Sequence, residues 1–285
     1  MFKPMLACEL EDPTKLKFPV LVSPKLDGIR CLMFAGVAYS RNMKPIRNRF
    51  IQQQLKELDN LDGELIVGSP KAPDCMNATQ SGVMSADGEP AFTYWTFDSP
   101  LADVPFAQRL RQADACNIRV MQVPHLLVSS VEELLEYEKV MLEEGSEGIM
   151  VRDPHGPYKQ GRSTAREGWL FKLKRFSDGE GVVVGLEPAK HNTNIMTRDE
   201  LGRAKRSSHA AGMVELDMVG TILIQTKEWG ILRLSPGIMT HSERANYWKY
   251  PHSLVGAVVH WRSFGYGVKD KPRFPRFYGI RGDHV

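Results

Sequence analysis

"SPKLDGIR" (residues 23–30) sets a lysine, an aspartate, a glycine and an arginine close together. It follows the apolar run "FPVLV" (18–22), which reads as a strand ending at a loop, with Asp27-Gly28 as the turn. Two chemistries fit these residues. Lys25 and Asp27 can be an ordinary pair on a surface turn. Alternatively, Lys25 is a nucleophile, which requires its amine to be neutral, through desolvation or nearby cations. Arg30 and the later "FKLKR" (171–175), with Lys172 and Lys174, are candidate cations, as is a bound metal. The pattern alone leaves both readings open.

Other pieces follow in order. "YSRNMKPIRNR" (39–49) places Arg41 after a strand-like segment. "LDGEL" (61–65) reads as a hairpin-like turn that puts Glu64 at a strand start. "EGIMVR" (147–152) sets Glu147 directly before an apolar strand. In "GWLFKLKR" (168–175) the alternation points Lys172 and Lys174 to one face of a strand. Each piece has an ordinary structural reading. Together and in this order they are hard to obtain by chance.

The rest of the chain frames them. With 285 residues, 42% apolar and 25% charged, it has the make-up of a globular protein of one large or two smaller domains. The net charge of +3 permits a polyanionic partner without demanding one. Cys8, Cys31, Cys75 and Cys116 form no Cys-x-x-Cys pair, and the histidines show no metal-ligand spacing. The N-terminal stretch lacks a long apolar run before Glu9, Glu11 and Asp12, so neither a signal peptide nor a membrane anchor is expected. The expected setting is the cytoplasm or the interior of an infected host cell.

Up to about residue 176 the sequence predicts short strands and two or three helices. "NRFIQQQLKEL" (48–58) has apolar residues at helical spacing, and "AFTYWTFD" (91–98) is strand-like. "SSVEELLEYEKVMLEEG" (129–145) reads as a helix capped by Ser129 or Ser130 and stopped by Gly145. Beyond 176, strand-like segments at 181–187, 213–218, 220–226, 229–234 and 254–262 predict a small barrel, with one helix expected at 242–250. The fold class is therefore α+β: an N-terminal domain over 1–176 and an all-β, oligonucleotide-binding (OB) type domain over 177–285. The insert "AKHNTNIMTRDELGRAKRSSHAAG" (189–212) carries Lys190, Arg198, Arg203, Lys205 and Arg206 against Asp199 and Glu200. Poor in apolar residues, it cannot bury much surface. It is either a solvated loop or an arm that folds onto a phosphate backbone.

The ordered set resembles the covalent nucleotidyltransferase superfamily of ATP-dependent DNA ligases, RNA ligases and mRNA capping enzymes. "KLDGIR" is similar to its motif I, "SRNMK" to motif Ia, "LDGEL" to III, "YWTFD" to IIIa, "EGIMVR" to IV and "FKLK" to V. The tail "RFPRFYGIRGDH" resembles motif VI, with His284 where the family usually has Lys or Arg. The likeness covers essentially the whole chain and is nearest to minimal viral ligases of the chlorella virus type, as in "RNMKPIRN", "TQSGVMS", "HNTN" and "KRSSHAAGMVELDMVGTI".

That resemblance implies an adenylyltransferase domain with an ATP-grasp-like nucleotidyltransferase fold, an OB barrel, and a latch-like hairpin at 189–212. It implies sealing of 3′-hydroxyl/5′-phosphate nicks in duplex DNA through lysyl-AMP and DNA-adenylate, in replication, repair or recombination. Lys25 would attack the α-phosphate of ATP. Lys172 and Lys174 would contact that phosphate, and Arg281 and Asp283 would orient the pyrophosphate. Arg30, Glu64 and Arg162 would hold the nucleotide, with Phe97 stacked on adenine. Glu147 would bind Mg²⁺ (with Mn²⁺ able to substitute), with Asp27 a second candidate. Arg41 would bind the 5′-phosphate of the nick. Asp62, Arg198, Arg203, Lys205 and Arg206 would also face DNA. A monomer is expected. With Lys25 so near the start, no extra DNA-binding domain is expected ahead of the core. A GTP-using capping enzyme, an RNA-joining enzyme and an inactive end-binding protein are the alternatives. The latch-like insert speaks against the first two, and the intact lysine and glutamate set against the third.

Overall fold

The computed structural model describes residues 2–72, 74–113, 118–263 and 272–281. The chain divides into two compact units, one of Met1–Lys174 with Arg198–Ala204, the other of Arg175–Thr197 with Lys205–Val285. Among the described residues no helix is long and apolar enough to cross a membrane.

The first unit holds two five-stranded sheets. One runs in the order Cys8–Glu9, Leu170–Leu173, Ile149–Arg152, Val20–Pro24, Leu126–Val128. The other runs Val37–Ser40, Ile29–Phe34, Leu61–Val67, Phe92–Asp98, Val120–Gln122. Each has its own apolar core. Val22, Ile149, Val151 and Leu134 are buried in one, and Cys31, Leu65, Tyr94 and Ile51 in the other. Alternation explains the pattern: every second residue of Phe92–Asp98 is buried, and the rest are half-buried.

The expected helices form, the second with one of its two expected caps. Arg49–Leu55 starts where the Asn48 side chain accepts from the Ile51 amide, and Val131–Glu143 where Ser130 accepts from Glu133. Gly145, at φ 90°, lies just beyond the latter. Two further helices, Cys75–Met84 and Phe106–Gln112, were not among those expected, and neither start makes a side-chain cap hydrogen bond.

"LDGEL" is not a turn. Leu61–Val67 is one continuous strand, with a register shift between Asp62 and Gly63. A β-carbon on Gly63 would meet the Trp95 carbonyl oxygen at 2.4 Å, so glycine permits the close pairing that the sequence reading took for a turn. Gly28 is constrained in the same way: a β-carbon there would meet the Leu65 carbonyl oxygen at 2.4 Å. This contact presses the loop bearing Lys25 against the strand bearing Glu64.

The second unit is an antiparallel sheet in the order Gly230–Leu234, Met213–Thr226, Ser177–Asn192, Val258–Ser263, Arg276–Ile280. A bridge from Ser235 to Arg276 brings its two edges together as a barrel. Where the sequence suggested two strands at 213–218 and 220–226, one strand runs through. A β-carbon on Gly220 would meet Ala189 Cα at 2.4 Å beside the bulges at Pro188, so glycine lets the strand bend without breaking. The helix His241–Lys249 carries a capping box between Thr240 and Glu243.

The insert forms a two-stranded hairpin, Met196–Arg198 with Ala204–Arg206. The expectation that it buries little fails at Leu201, which is 2% exposed in the first unit's core. The Leu201 carbonyl accepts from Ser40 Oγ at 2.7 Å and Asn42 Nδ2 at 3.2 Å.

Candidate active site

The two sheets of the first unit line a cavity of about 310 Å³. Lys25, Arg30, Arg41, Glu64, Phe97, Arg162 and Lys172, all named from the sequence, lie on its wall. An adjoining hollow of about 230 Å³ adds Asp27 and Arg203. Sheet register explains the gathering. Met150 pairs with Ser23 on one side and with Lys172 on the other, so Ser23, Met150 and Lys172 share a face. Lys25 follows Ser23 by two residues.

Lys25 is paired with Glu147, and Lys174 Nζ lies 3.5 Å from the other Glu147 oxygen. Burial opposes charge on Glu147, but Lys25 and then Lys174 hold its carboxyl below the usual range. Burial depresses Lys174, Glu147 resists, and Lys172 and Lys25 add to the depression. Lys174 is one residue past the strand, whereas Lys172 is on it and lies 3.9 Å from Glu9.

Arg30 is fixed by Asp62, at 2.5 and 2.6 Å, and its guanidinium sits 4.7 Å from the Phe97 ring centre. Asp62 is fully buried and also accepts from Tyr158 at 2.7 Å. This placement does not fit the direct DNA contact expected of Asp62; it orients Arg30 instead. Arg41 is held below its ordinary range by burial and by Arg162, Arg30 and Arg203 nearby. Four guanidiniums thus bear on one another here, and that of Arg30 is offset by Asp62.

Glu64 behaves differently. Burial pushes its carboxyl up to about 7, against Arg30 and Lys25 and with help from Asp62 and Asp27. Between pH 4.5 and about 7 the folded chain keeps a proton here that an unfolded chain has lost. The associated stability is complete below that window and disappears as pH rises through it. Going from pH 5 to pH 8 should therefore cost the wild type about 2 kcal/mol more than Glu64→Gln, read from urea unfolding midpoints. Equal pH slopes would contradict it.

The sequence missed four residues of this region. His125, Met150 and Arg152 line the cavity, and Asp98 lies buried behind it. Asp98 accepts from Arg109 Nε at 2.8 Å and from Arg152. "EGIMVR" contains Arg152, but nothing in a strand pattern marks an arginine as buried; His125 in "QVPHLLV" carries no signal at all.

Apart from Arg203 in the adjoining hollow, the remaining site residues among those described do not line the cavity. Arg281 is in the second unit, exposed, 3.2 Å from Glu180. Asp283 and His284 are outside the described residues. In the hairpin, Arg198 NH1 donates to the Gly202 carbonyl at 2.8 Å, and the Arg203 amide donates to Asp199. Lys205 and Arg206 are exposed.

The family model described as the ATP dependent DNA ligase domain matches residues 4–174. The chain belongs to the ATP-dependent DNA ligase family. A probable DNA ligase of Kineococcus radiotolerans is 30% identical over 189 residues, covering 59% of this chain and 36% of that protein. A DNA ligase of Halobacterium salinarum is 26% identical over 220 residues, covering 74% and 35%. The chain thus spans about a third of the length of these relatives. Among solved ligase structures, that of the Chlorella virus DNA ligase–adenylate is 28% identical with a TM-score of 0.55, covering 100% of this chain and 99% of that one. A Lig E DNA ligase structure is 25% identical with a TM-score of 0.74, covering 99% and 100%. The two units thus have the nucleotidyltransferase and OB folds of these ligases.

Proposed function

We propose that this protein seals 3′-hydroxyl/5′-phosphate nicks in duplex DNA by way of a lysyl-AMP. The observation that supports it most is Lys25 on the wall of one cavity with Lys172, Arg30, Glu64 and Phe97, beside Glu147. The Lys25 amine attacks the α-phosphorus of ATP, a P–N bond forms, and pyrophosphate leaves with the P–O electrons. The 5′-phosphate of the nick then takes the AMP from Lys25. Finally the 3′-hydroxyl oxygen attacks that 5′-phosphorus, loses its proton, and AMP departs. Each step is a phosphoryl displacement, where positioning and charge neutralisation carry most of the rate.

Lys172 and Lys174 offset charge at the α-phosphate. Arg30, steadied by Asp62, and Glu64 hold the ribose hydroxyls, with Arg162 at the nucleotide and Phe97 against the base. Arg41, in its cluster of cations, takes the 5′-phosphate. Arg281 and Asp283 orient pyrophosphate in the first step only. Among the described residues no three His, Cys, Asp or Glu side chains could hold a metal by themselves. The donor set fits Mg²⁺ held by one or two carboxylates together with substrate phosphates, Glu147 first and Asp27 second. Such an ion would supply charge neutralisation at the phosphates.

The deciding experiment is incubation with α-labelled ATP, or α-labelled GTP, followed by a chase with nicked DNA. Label from ATP that passes to the nick and yields a joined strand supports the reading. Label from GTP alone would instead support a capping activity.

The hairpin supplies cations to the DNA backbone in this reading. Each phosphate contact adds about 0.9 to the slope of log K against log salt. Lys205→Ala with Arg206→Ala should weaken nick binding and flatten that slope by about 1 to 2, leaving self-adenylylation unchanged. An unaltered slope in a KCl titration would remove these two residues from the interface.

A further inference from the structure

His125 lines the same cavity as Lys25, and no step above uses it. It directly precedes the strand Leu126–Val128, in which Leu126 pairs with Val22. The next position of that register sets His125 beside Ser23, whose other neighbour is Met150. Alternate residues of a strand share a face and lie about 7 Å apart. His125 therefore stands on the wall one repeat before Lys25, among the apolar side chains of Val123, Met150 and Leu170.

The protonation of its ring follows from one contact. Nδ1 lies 2.8 Å from the Val123 carbonyl oxygen, which can only accept, so Nδ1 carries the hydrogen. In a neutral ring Nε2 is then a lone-pair acceptor. Among the described residues no hydrogen bond reaches it. The ring is braced edge-to-face on Phe106, with centroids 5.5 Å apart. Burial lowers its basicity to about 4, with Arg152 adding to the effect and the Val123 bond and Asp98 opposing it. The ring is thus neutral at physiological pH. Arg152, from the Ile149–Arg152 strand, is itself engaged by Asp98.

We propose that His125 Nε2 accepts a hydrogen bond from the 6-amino group of adenine, making His125 a specificity-determining residue for ATP. The proposal rests on the ATP reading of the cavity. Adenine presents an N–H donor at position 6, whereas guanine and hypoxanthine present a carbonyl oxygen. Against Nε2 an oxygen sets acceptor against acceptor, and a bare C–H leaves the nitrogen without its partner. Phe97 lines the same cavity.

The test compares self-adenylylation by ATP with nucleotidyl transfer from purine riboside triphosphate, which lacks the 6-amino group, and from inosine triphosphate. His125→Phe keeps an aromatic ring against Phe106 and removes the acceptor. The wild type should prefer ATP to purine riboside triphosphate by on the order of tenfold in kcat/KM, and ATP to inosine triphosphate by more. His125→Phe should use ATP and purine riboside triphosphate within about twofold of each other. A cooperative thermal melt close to that of the wild type, followed by circular dichroism, reports that the variant is folded. Should His125→Phe fail that check, His125→Leu and the wild-type ratio decide. Equal use of the two nucleotides by the wild type overturns the proposal. So does a variant that keeps the wild-type ratio, which would assign the 6-amino group to another acceptor. A wild type labelled by none of these nucleotides would overturn the ATP reading itself.

Discussion

Lys25→Ala is expected to abolish the covalent adenylate, with labelling from α-labelled ATP falling by on the order of 10⁴ or more. Lys25→Arg should do the same. It keeps a positive charge beside Glu147, and a guanidinium stays protonated and is no nucleophile. The pair of variants separates nucleophile from counter-ion: if charge were the point, arginine would restore the label. Both should still join a nick that already carries AMP on its 5′-phosphate, because the final step transfers nothing to Lys25. Labelled protein from either variant would move the nucleophile elsewhere, to Lys172 or Lys174.

The second large effect concerns stability. Asp98 is fully buried between Arg109 and Arg152, which are 1% and 5% exposed. The two guanidiniums hold its carboxyl below the usual range, overcoming the opposing effect of burial. Removing the shared anion leaves two buried cations without a counter-charge, with main-chain carbonyls and the rings of Phe97, Phe106 and Tyr158 as their remaining neighbours. Breaking such a buried set costs about 3–5 kcal/mol, so Asp98→Ala should lower the Tm of the first unit by about 10 °C. Differential scanning calorimetry checks it, and a loss below about 1 kcal/mol would show the arginines re-solvating freely. Arg109→Met with Arg152→Met in the Asp98→Ala background should recover part of the loss, since it removes the stranded charges.

The contrast between these residues shows what a sequence carries. Lys25, Glu64, Glu147 and Lys172 were legible because each lies in a short segment whose local chemistry is unusual, and their order along the chain matched a known pattern. Strand alternation was applied to Lys172 and Lys174 alone; Lys172 lies on the strand and on the cavity wall, while Lys174 falls one residue past the strand. "LDGEL" misled because Asp-Gly is a turn signal, and only the Trp95 carbonyl across the sheet reveals why a glycine is needed in a strand. His125 and Asp98 were invisible for a related reason. Their roles come from partners 2 to 54 positions away, such as the Val123 carbonyl and the Arg152 guanidinium. The two helices without caps were missed because their starts rely on packing, which single-residue preferences do not record. Leu201, a lone apolar residue in a polar insert, had no periodic company to mark it as core.

Leu201 also has a bearing on how the chain is made. The core it completes is otherwise assembled from residues before 121, yet it stays unfilled until the ribosome has added another 80 or so positions. A nascent chain that has reached residue 174 would present this core without Leu201, and Ser40 without the carbonyl to which it donates, an opening for chaperones and for proteases. Folding of the first unit during synthesis is thereby made to wait for its own late segment, Arg198–Ala204.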